Sequence, residues 1–157
     1  MLAGMNPSIL VRPVRPEDYP DWKPLWDGYN AFYGRAGETA LPDLITQTTW
    51  ARFFDPAEPV FGLVAEREGR IAGLAHYLFH RSMIHVEPVC YMQDLFTAPA
   101  ERGLGVGRAL IEEVYARAKA AGSARVYWHT QESNAAGPML YDKVARHLGF
   151  IVYSQNI

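Results

Sequence analysis

The feature that most constrains this chain is a run of alternating glycines, Arg102-Gly103-Leu104-Gly105-Val106-Gly107, set where an extended pattern gives way to a helical one. Ahead of it, Glu87 to Thr97 reads as extended. Behind it, Val106, Leu110, Val114 and Ala118 recur every four residues, with Ala109, Ile111 and Tyr115 beside them, until Ala121-Gly122 stops the segment. A strand that feeds a helix through such a turn makes an anion site. The first amides of a helix have no internal partners, and the helix dipole favours negative charge there. Glycine lets a ligand approach the backbone with no Cβ in the way. Arg102, and Arg108 just inside the helix, can add charge-assisted contacts to a phosphate. The plain alternative is a tight strand-to-helix turn with no ligand.

Two common phosphate motifs fail here. A P-loop needs a Lys after its last glycine, and no Lys follows any of these. A dinucleotide fingerprint needs G-x-G-x-x-G, but counting from Gly103 the last position is Arg108, and from Gly105 it is Leu110. What stands is R-x-x-G-x-G between a strand and an amphipathic helix.

The rest of the chain supplies the partners. Ile9-Leu10-Val11 opens a short strand. Pro16-Glu17-Asp18 marks a helix start, and Trp22, Leu25, Trp26, Tyr29, Phe32 and Tyr33 form its apolar stripe up to Gly34. A second helix follows Leu41-Pro42, with Leu44, Ile45, Thr48, Trp50, Phe53 and Phe54. Val60 to Glu66 and Ile71 to Phe79 read as a hairpin about Glu68-Gly69. Arg125 to Thr130 is a strand, Pro138 to Leu148 a helix closed by Gly149, and Phe150 to Tyr153 a final strand. The order is β-α-α-β-β-β-α-β-α-β, and a mixed, mostly antiparallel α/β (α+β) sheet flanked by helices is its natural packing.

Length and charge exclude several classes. At 157 residues the chain fits one domain over 1–157. A net charge of −2 lacks the basic excess of a nucleic-acid binder. No apolar run approaches the roughly 20 residues that cross a bilayer, and the N-terminus has no basic, apolar leader. The single cysteine, Cys90, cannot close an intramolecular disulfide; it reads as buried strand packing in a reducing, cytoplasmic setting. The histidines are irregularly spaced and pair with no second cysteine, so no metal site is expected. The Arg12–Arg15 and Arg67–Arg70 pairs read as solvated turn residues.

With its glycine turn and the strand Tyr91-Met92-Gln93-Asp94-Leu95-Phe96-Thr97, the sequence resembles the GCN5-related N-acetyltransferases (GNAT family), whose Q/R-x-x-G-x-G/A motif binds the pyrophosphate of acetyl-CoA. Downstream, Asn134 and Leu140-Tyr141-Asp142-Lys143 match the family's N-x-x-A-x-x-L-Y-x-K segment, with Tyr seven residues after Asn. The nearest look is to polyamine and Hpa2-like acetyltransferases. The resemblance implies a fourth strand that splays from its neighbour, with Leu95, Phe96 and Thr97 pairing with the pantetheine arm. It implies that Arg102 to Arg108 hold the pyrophosphate, that Asn134 touches the pantetheine, and that Tyr141 faces the CoA sulfur. Acetyl-CoA would be the acyl donor, a small amine or a peptide amine the acceptor, and a homodimer the assembly.

Two departures stand out. Polyamine acetyltransferases carry Y-L-E-D-x-x-V on the fourth strand, where this chain has Gln93, a neutral amide that neither takes a proton from an ammonium nor pairs with it as a carboxylate does. Gly137 stands where the family often has Ala, with Pro138 after it; a helix starting well before Pro138 would be kinked there and shift Tyr141.

The implied reaction is direct transfer from thioester to amine. Backbone N–H groups on the splayed strand would polarise the carbonyl. Tyr141, with an ordinary phenol pKa near 10, would protonate the leaving thiolate. Asp94, His76, His80, His85 and Glu87 are candidates for the base. Tyr29, Tyr33, Gln93 and Asp94 are the candidate acceptor contacts, whereas Trp22 and Trp26 read as core. A non-catalytic CoA-binding sensor or structural module of the same fold is the alternative, and a nucleotide-phosphate enzyme a third reading.

Overall fold

The computed structural model describes residues 8–157. The first seven residues, on which the reading of a missing leader rests, lie outside the described part. Five strands form one sheet in the order β1-β2-β3-β4-β5: β1 Ile9–Pro13, β2 Val60–Arg67, β3 Arg70–His80, β4 Val89–Thr97 and β5 Val126–Tyr127. The first four are antiparallel, and β5 runs parallel to β4. Helices α1 (Tyr19–Phe32) and α2 (Asp43–Arg52) cover one face; α3 (Val106–Ala120) and α4 (Gly137–Val144) lie on the other. None of the described helices is long and apolar enough to cross a membrane.

Each face has its own core. Against α3 lie Leu63, Ala75, Met92, Val106, Leu110, Ile111 and Val114, so the four-residue stripe read in the sequence is the buried side of that helix. Against α1 lie Trp22, Leu25, Trp26, Tyr29, Val64, Leu74 and Phe96. Helix α2 packs through Thr46, Trp50 and Phe53, while Leu44 and Ile45, expected on its apolar side, are exposed. Cys90 is fully buried in β4, and burial pushes its thiol up to about 12.

Two arginines read as solvated are structural. The Arg12 guanidinium spans Asp18, at 2.6 Å, and Glu66, tying the start of α1 to β1 and β2. Arg67 donates to Glu101 at 2.8 Å, which anchors the turn entering the glycine run. Both pairings cross from one element to another, so residue spacing carries no trace of them.

The C-terminal quarter departs furthest from expectation. Only Val126 and Tyr127 of the expected strand Arg125–Thr130 are paired. Helix α4 begins at Gly137 with Pro138 in its first turn, so the proline does not kink it, and it ends at Val144, short of Leu148. The final strand is absent: 145–157 are irregular, and Phe150, Ile151, Val152 and Tyr153 are between 66% and 89% exposed. These residues carry strand propensity, but none of them pairs with a described strand.

Candidate active site

Strand β4 organises the site by two irregularities. It pairs with β5 only at Cys90 and Tyr91, so its backbone from Met92 to Thr97 has no strand partner on that side. It also carries a bulge: His76 faces Asp94 while Tyr77 faces Met92, which leaves Gln93 as the extra residue. The bulge resets the alternation. Met92 and Leu95 face α3, while Asp94 and Phe96 are turned toward α1.

The strand leads through a short turn at Pro99–Glu101 into the glycines. Gly105 is the N-cap residue of α3 at φ +90°, a left-handed conformation that a side chain would strain. The first helical bond in α3 runs from Ala109 N–H to the Gly105 carbonyl, at 3.0 Å, so the amides of Val106, Gly107 and Arg108 have no helical partner. Arg102 donates to the Thr97 carbonyl at 3.3 Å and lies 5.5 Å over the Phe96 ring. Arg108 is engaged with Glu112 at 2.8 Å on the helix surface. Leu104 is exposed. Val106 and Phe96 bury their side chains in the two cores, so they can contribute only backbone groups to a ligand.

Asn134 and Tyr141 meet across Gly137. Asn134 Oδ1 accepts from Gly137 N–H at 3.2 Å, and its Nδ2 donates to Thr130 at 3.1 Å. A Cβ on Gly137 would sit 2.6 Å from Asn134 Nδ2 and 2.8 Å from the Tyr141 ring. The departure from the family's alanine therefore makes room for both residues. Tyr141 packs edge-on against Trp128 at 5.4 Å, and burial, with Tyr33 nearby, raises its phenol above the ordinary value. It opens on a narrow cleft shared with Tyr29, Tyr33, Met92, Gln93, Leu95, Trp128 and His129.

A second cleft, with about 490 Å³ of empty space open to solvent, lies on the α2 side of β4. Thr49, Arg52, Phe53, His76, Gln93 and Asp94 are among its lining residues, so Gln93 borders both clefts. His76 and Asp94 are 5% and 6% exposed, with His76 Nδ1 2.8 Å from Asp94 Oδ2. Trp22 Nε1–H donates to His76 Nε2 at 3.0 Å. The Tyr29 hydroxyl sits beside Asp94; burial first, and then that carboxylate, push its phenol well up. Tyr33 is raised by burial and by Asp94; it lines the Tyr141 cleft and lies near both groups.

The other candidate bases are elsewhere. His80 is held between the Arg81 carbonyl and the Tyr127 hydroxyl, both at 2.8 Å. His85 and Glu87 lie in the β3–β4 connection and line neither cleft. Three contributors were not singled out from the sequence. His129 and Trp128 directly follow β5, and Arg52 ends α2; the only signal for them was their proximity in sequence to an element boundary. Among the described residues no group of three His, Cys, Asp or Glu is placed to hold a metal ion.

Residues 22–150 match the model of the acetyltransferase (GNAT) family. The chain belongs to that family. Among GNAT relatives, the D-amino-acid N-acetyltransferase HPA3 of Saccharomyces cerevisiae is 40% identical over 154 residues, covering 97% of this chain and 93% of the relative. A mycothiol acetyltransferase of Thermomonospora curvata is 32% identical over 152 residues, covering 96% of this chain but 46% of that protein. The fold is shared with solved GNAT structures. The aminoglycoside N-acetyltransferase AAC(6')-Iy, solved with a CoA-based bisubstrate analogue, superposes with a TM-score of 0.78 at 14% identity, covering 96% of this chain and 99% of that one. The ribosomal-protein-alanine N-acetyltransferase of Brucella melitensis biovar Abortus 2308 gives 0.75 at 15% identity, covering 96% and 100%. This GNAT chain is thus an N-acetyltransferase by family, with the five-stranded, mostly antiparallel sheet its neighbours share.

Proposed function

We propose that this GNAT enzyme moves the acetyl group of acetyl-CoA directly to the amine of a small α-amino acid. The observation that carries the reading is the meeting of two clefts at Gln93, one holding Tyr141 and the other Asp94. The glycine turn fits the donor's pyrophosphate: its free helix amides point outward where a Cβ at Gly105 would be strained. The unpaired edge of β4 fits an extended, amide-bearing arm. Acetyl-CoA supplies the activated thioester when bound.

The chain's own residues handle the protons. Asp94 attracts the acceptor's ammonium and takes one proton, which frees the nitrogen lone pair. As the new C–N bond forms and the C–S bond breaks, the Tyr141 phenol gives its proton to the sulfur, and the phenolate recovers one from the nitrogen as the amide forms, so the single proton released overall is the one Asp94 took. Burial keeps that phenol protonated at neutral pH. Tyr29 and Tyr33 wall the space between the two groups, with Arg35 stacked over them at 5.9 and 5.4 Å.

Two facts favour an amino acid over a polyamine. Position 93 is a neutral Gln, and the Asp94 cleft also holds Arg52, whose nearest acidic partner, Glu58, is at a loose 3.7 Å. One buried anion and one available cation in the same cleft complement a zwitterion. The name of the yeast relative points the same way. The test follows CoA thiol release with D-phenylalanine, L-phenylalanine and phenethylamine. Acceleration by an amino acid is expected. Arg52→Gln should lower kcat/KM for it about tenfold to a hundredfold, the worth of a charged hydrogen bond, and leave the carboxylate-free amine unchanged. Equal use of amine and amino acid refutes the acceptor assignment. CoA binding with no acceptor accelerating release would favour the non-catalytic module instead.

The exposed segment Phe150–Tyr153 and the unpaired outer edge of β5 support a homodimer, and the single buried cysteine suits a cytoplasmic setting. Sedimentation of the chain and of a Phe150→Ser/Val152→Ser variant tests the pairing. A monomer in both refutes it.

A further inference from the structure

Trp22 and His76 sit under Asp94 as a buried hydrogen-bonded chain, and the chemistry of that chain has one solution. The indole nitrogen is only a donor. At 3.0 Å from His76 Nε2, it requires a bare lone pair there. The His76 proton must then be on Nδ1, where it donates to Asp94 Oδ2 at 2.8 Å. The opposite tautomer would set N–H against N–H on one side and lone pair against carboxylate on the other. A doubly protonated ring would keep the first clash. Trp22 is fully buried, so water cannot replace its contact with His76.

We infer that Trp22 and His76 are positioning residues that keep the Asp94 carboxylate negative and aimed into the acceptor cleft, by locking His76 as a neutral Nδ1–H donor. Without the indole donor, His76 could take a second proton and pair with Asp94 as an imidazolium. The pair's charge would go from −1 to zero, and the cleft would lose its attraction for an ammonium. The lock makes a histidine–carboxylate contact act as an anion at pH values where such contacts commonly become ion pairs.

The surroundings are consistent with this. His76 is enclosed by the rings of Trp22, Trp26 and Phe53 at 5.8, 5.3 and 4.7 Å. On the Asp94 side the titratable and charged groups are Tyr29 and Tyr33 of α1, Tyr91 of β4 and Arg52 of α2, with Arg35 behind the two α1 tyrosines. The tyrosines are neutral near pH 7, burial raising each of them. His76 is the imidazole in direct contact with Asp94, and His129 lies one step further out, 3.3 Å from the Tyr91 hydroxyl.

The inference rests on Asp94 serving the amine, and the experiment separates the two. Histidine ¹⁵N spectra of the acetyltransferase should show His76 with a protonated Nδ1 and a bare Nε2; the reverse tautomer overturns the lock whatever the activity. Profiles of kcat/KM for D-phenylalanine, or for whichever amine the enzyme accepts, are then compared with variants. For Trp22→Phe the acid limb should move to higher pH by about one unit, with the neutral-pH loss largely recovered near pH 9. A loss by the same factor at every pH overturns the inference, since a packing defect is not repaired by hydroxide. Should Trp22→Phe fail to fold, His76→Gln decides. Its amide can donate to Asp94 and accept from Trp22 but cannot be protonated, so activity within about tenfold of wild type and no acid limb from this group are expected. An effect as severe as His76→Leu overturns the inference. Asp94→Asn is the control. Unchanged activity in that variant removes Asp94 from the proposed mechanism and this inference with it. An inactive Asp94→Asn beside a pH-independent Trp22→Phe removes only the lock.

Discussion

The two faces of the sheet are built from different materials. Under α3 the core is almost all hydrocarbon: Leu63, Ala65, Ala75, Met92, Val106, Leu110, Ile111 and Val114. Under α1 it is aromatic and threaded with polar groups, Trp22, Trp26, Tyr29 and Phe96 packing around His76, Asp94, Thr46 and Asn30. The aliphatic face needs only volume, and many residue combinations satisfy volume. Each polar atom on the aromatic face needs a particular partner. Trp26 donates to Thr46 at 3.1 Å, Asn30 to the Trp26 carbonyl at 2.9 Å, and Arg35 to Asn30 at 2.7 Å. No buried side-chain nitrogen or oxygen among the described residues lacks a partner. On the proposed reading the contrast divides the labour: one face supports the glycine turn by mass, and the other fixes the surroundings of Asp94 atom by atom.

The largest test of this division is at the seam. Tyr141→Phe should lower kcat by about 10²- to 10⁴-fold, with CoA affinity by calorimetry within about twofold of wild type. An equal loss in affinity would make Tyr141 a packing residue of the donor side. Next comes Leu110→Ala on the aliphatic face. It should cost about 2–5 kcal/mol in denaturant unfolding and leave acceptor preference unchanged at temperatures where the variant is folded. A change in preference would mean the two faces are not independent. Trp26→Phe, on the other face, should cost only about 1–2 kcal/mol, yet raise the acceptor KM by relaxing Thr46 and the ring stack over His76. An unaltered KM would reduce the aromatic face to ordinary packing.

The smallest effect is confined to acid. The Arg12 guanidinium holds the Asp18 carboxyl below its ordinary value. A group depressed on folding stabilises above its unfolded value, near 4, and that contribution disappears as pH falls through the folded value. Denaturant midpoints between pH 7 and 2 should therefore fall less steeply for Asp18→Asn than for wild type. Parallel curves would show that the clamp on α1 is neutral.

The glycine turn and the pairing of Asn134 with Tyr141 were legible in the sequence because their devices are local. Glycines at a strand-helix junction, a four-residue stripe and a seven-residue spacing from Asn134 to Tyr141 are each written in consecutive residues. The Asp94 cleft is written across long separations. Trp22 and His76 are 54 residues apart, and their hydrogen bond has no signature in either neighbourhood. The bulge at Gln93 is equally silent, since a period-two pattern with one extra residue looks like a pattern with one misplaced residue. It decides which face Asp94 occupies, which is why Asp94 could be proposed while its partner stayed one of four histidine and glutamate candidates. The lost final strand is the opposite error. Phe150 to Tyr153 have strand composition, but a strand exists only with a neighbour, and local propensity says nothing of neighbours.

Burial of Cys90 has a practical consequence at the bench. Free CoA is usually followed by a thiol-reactive dye, which any accessible protein thiol would also consume. The chain has one sulfhydryl, fully enclosed and, through burial, held up to about 12. Only the thiolate reacts. The folded enzyme is therefore blank in that colorimetric channel, and a slow baseline rise without acetyl-CoA reports the opening of β4. One cuvette can read turnover and unfolding with the same reagent.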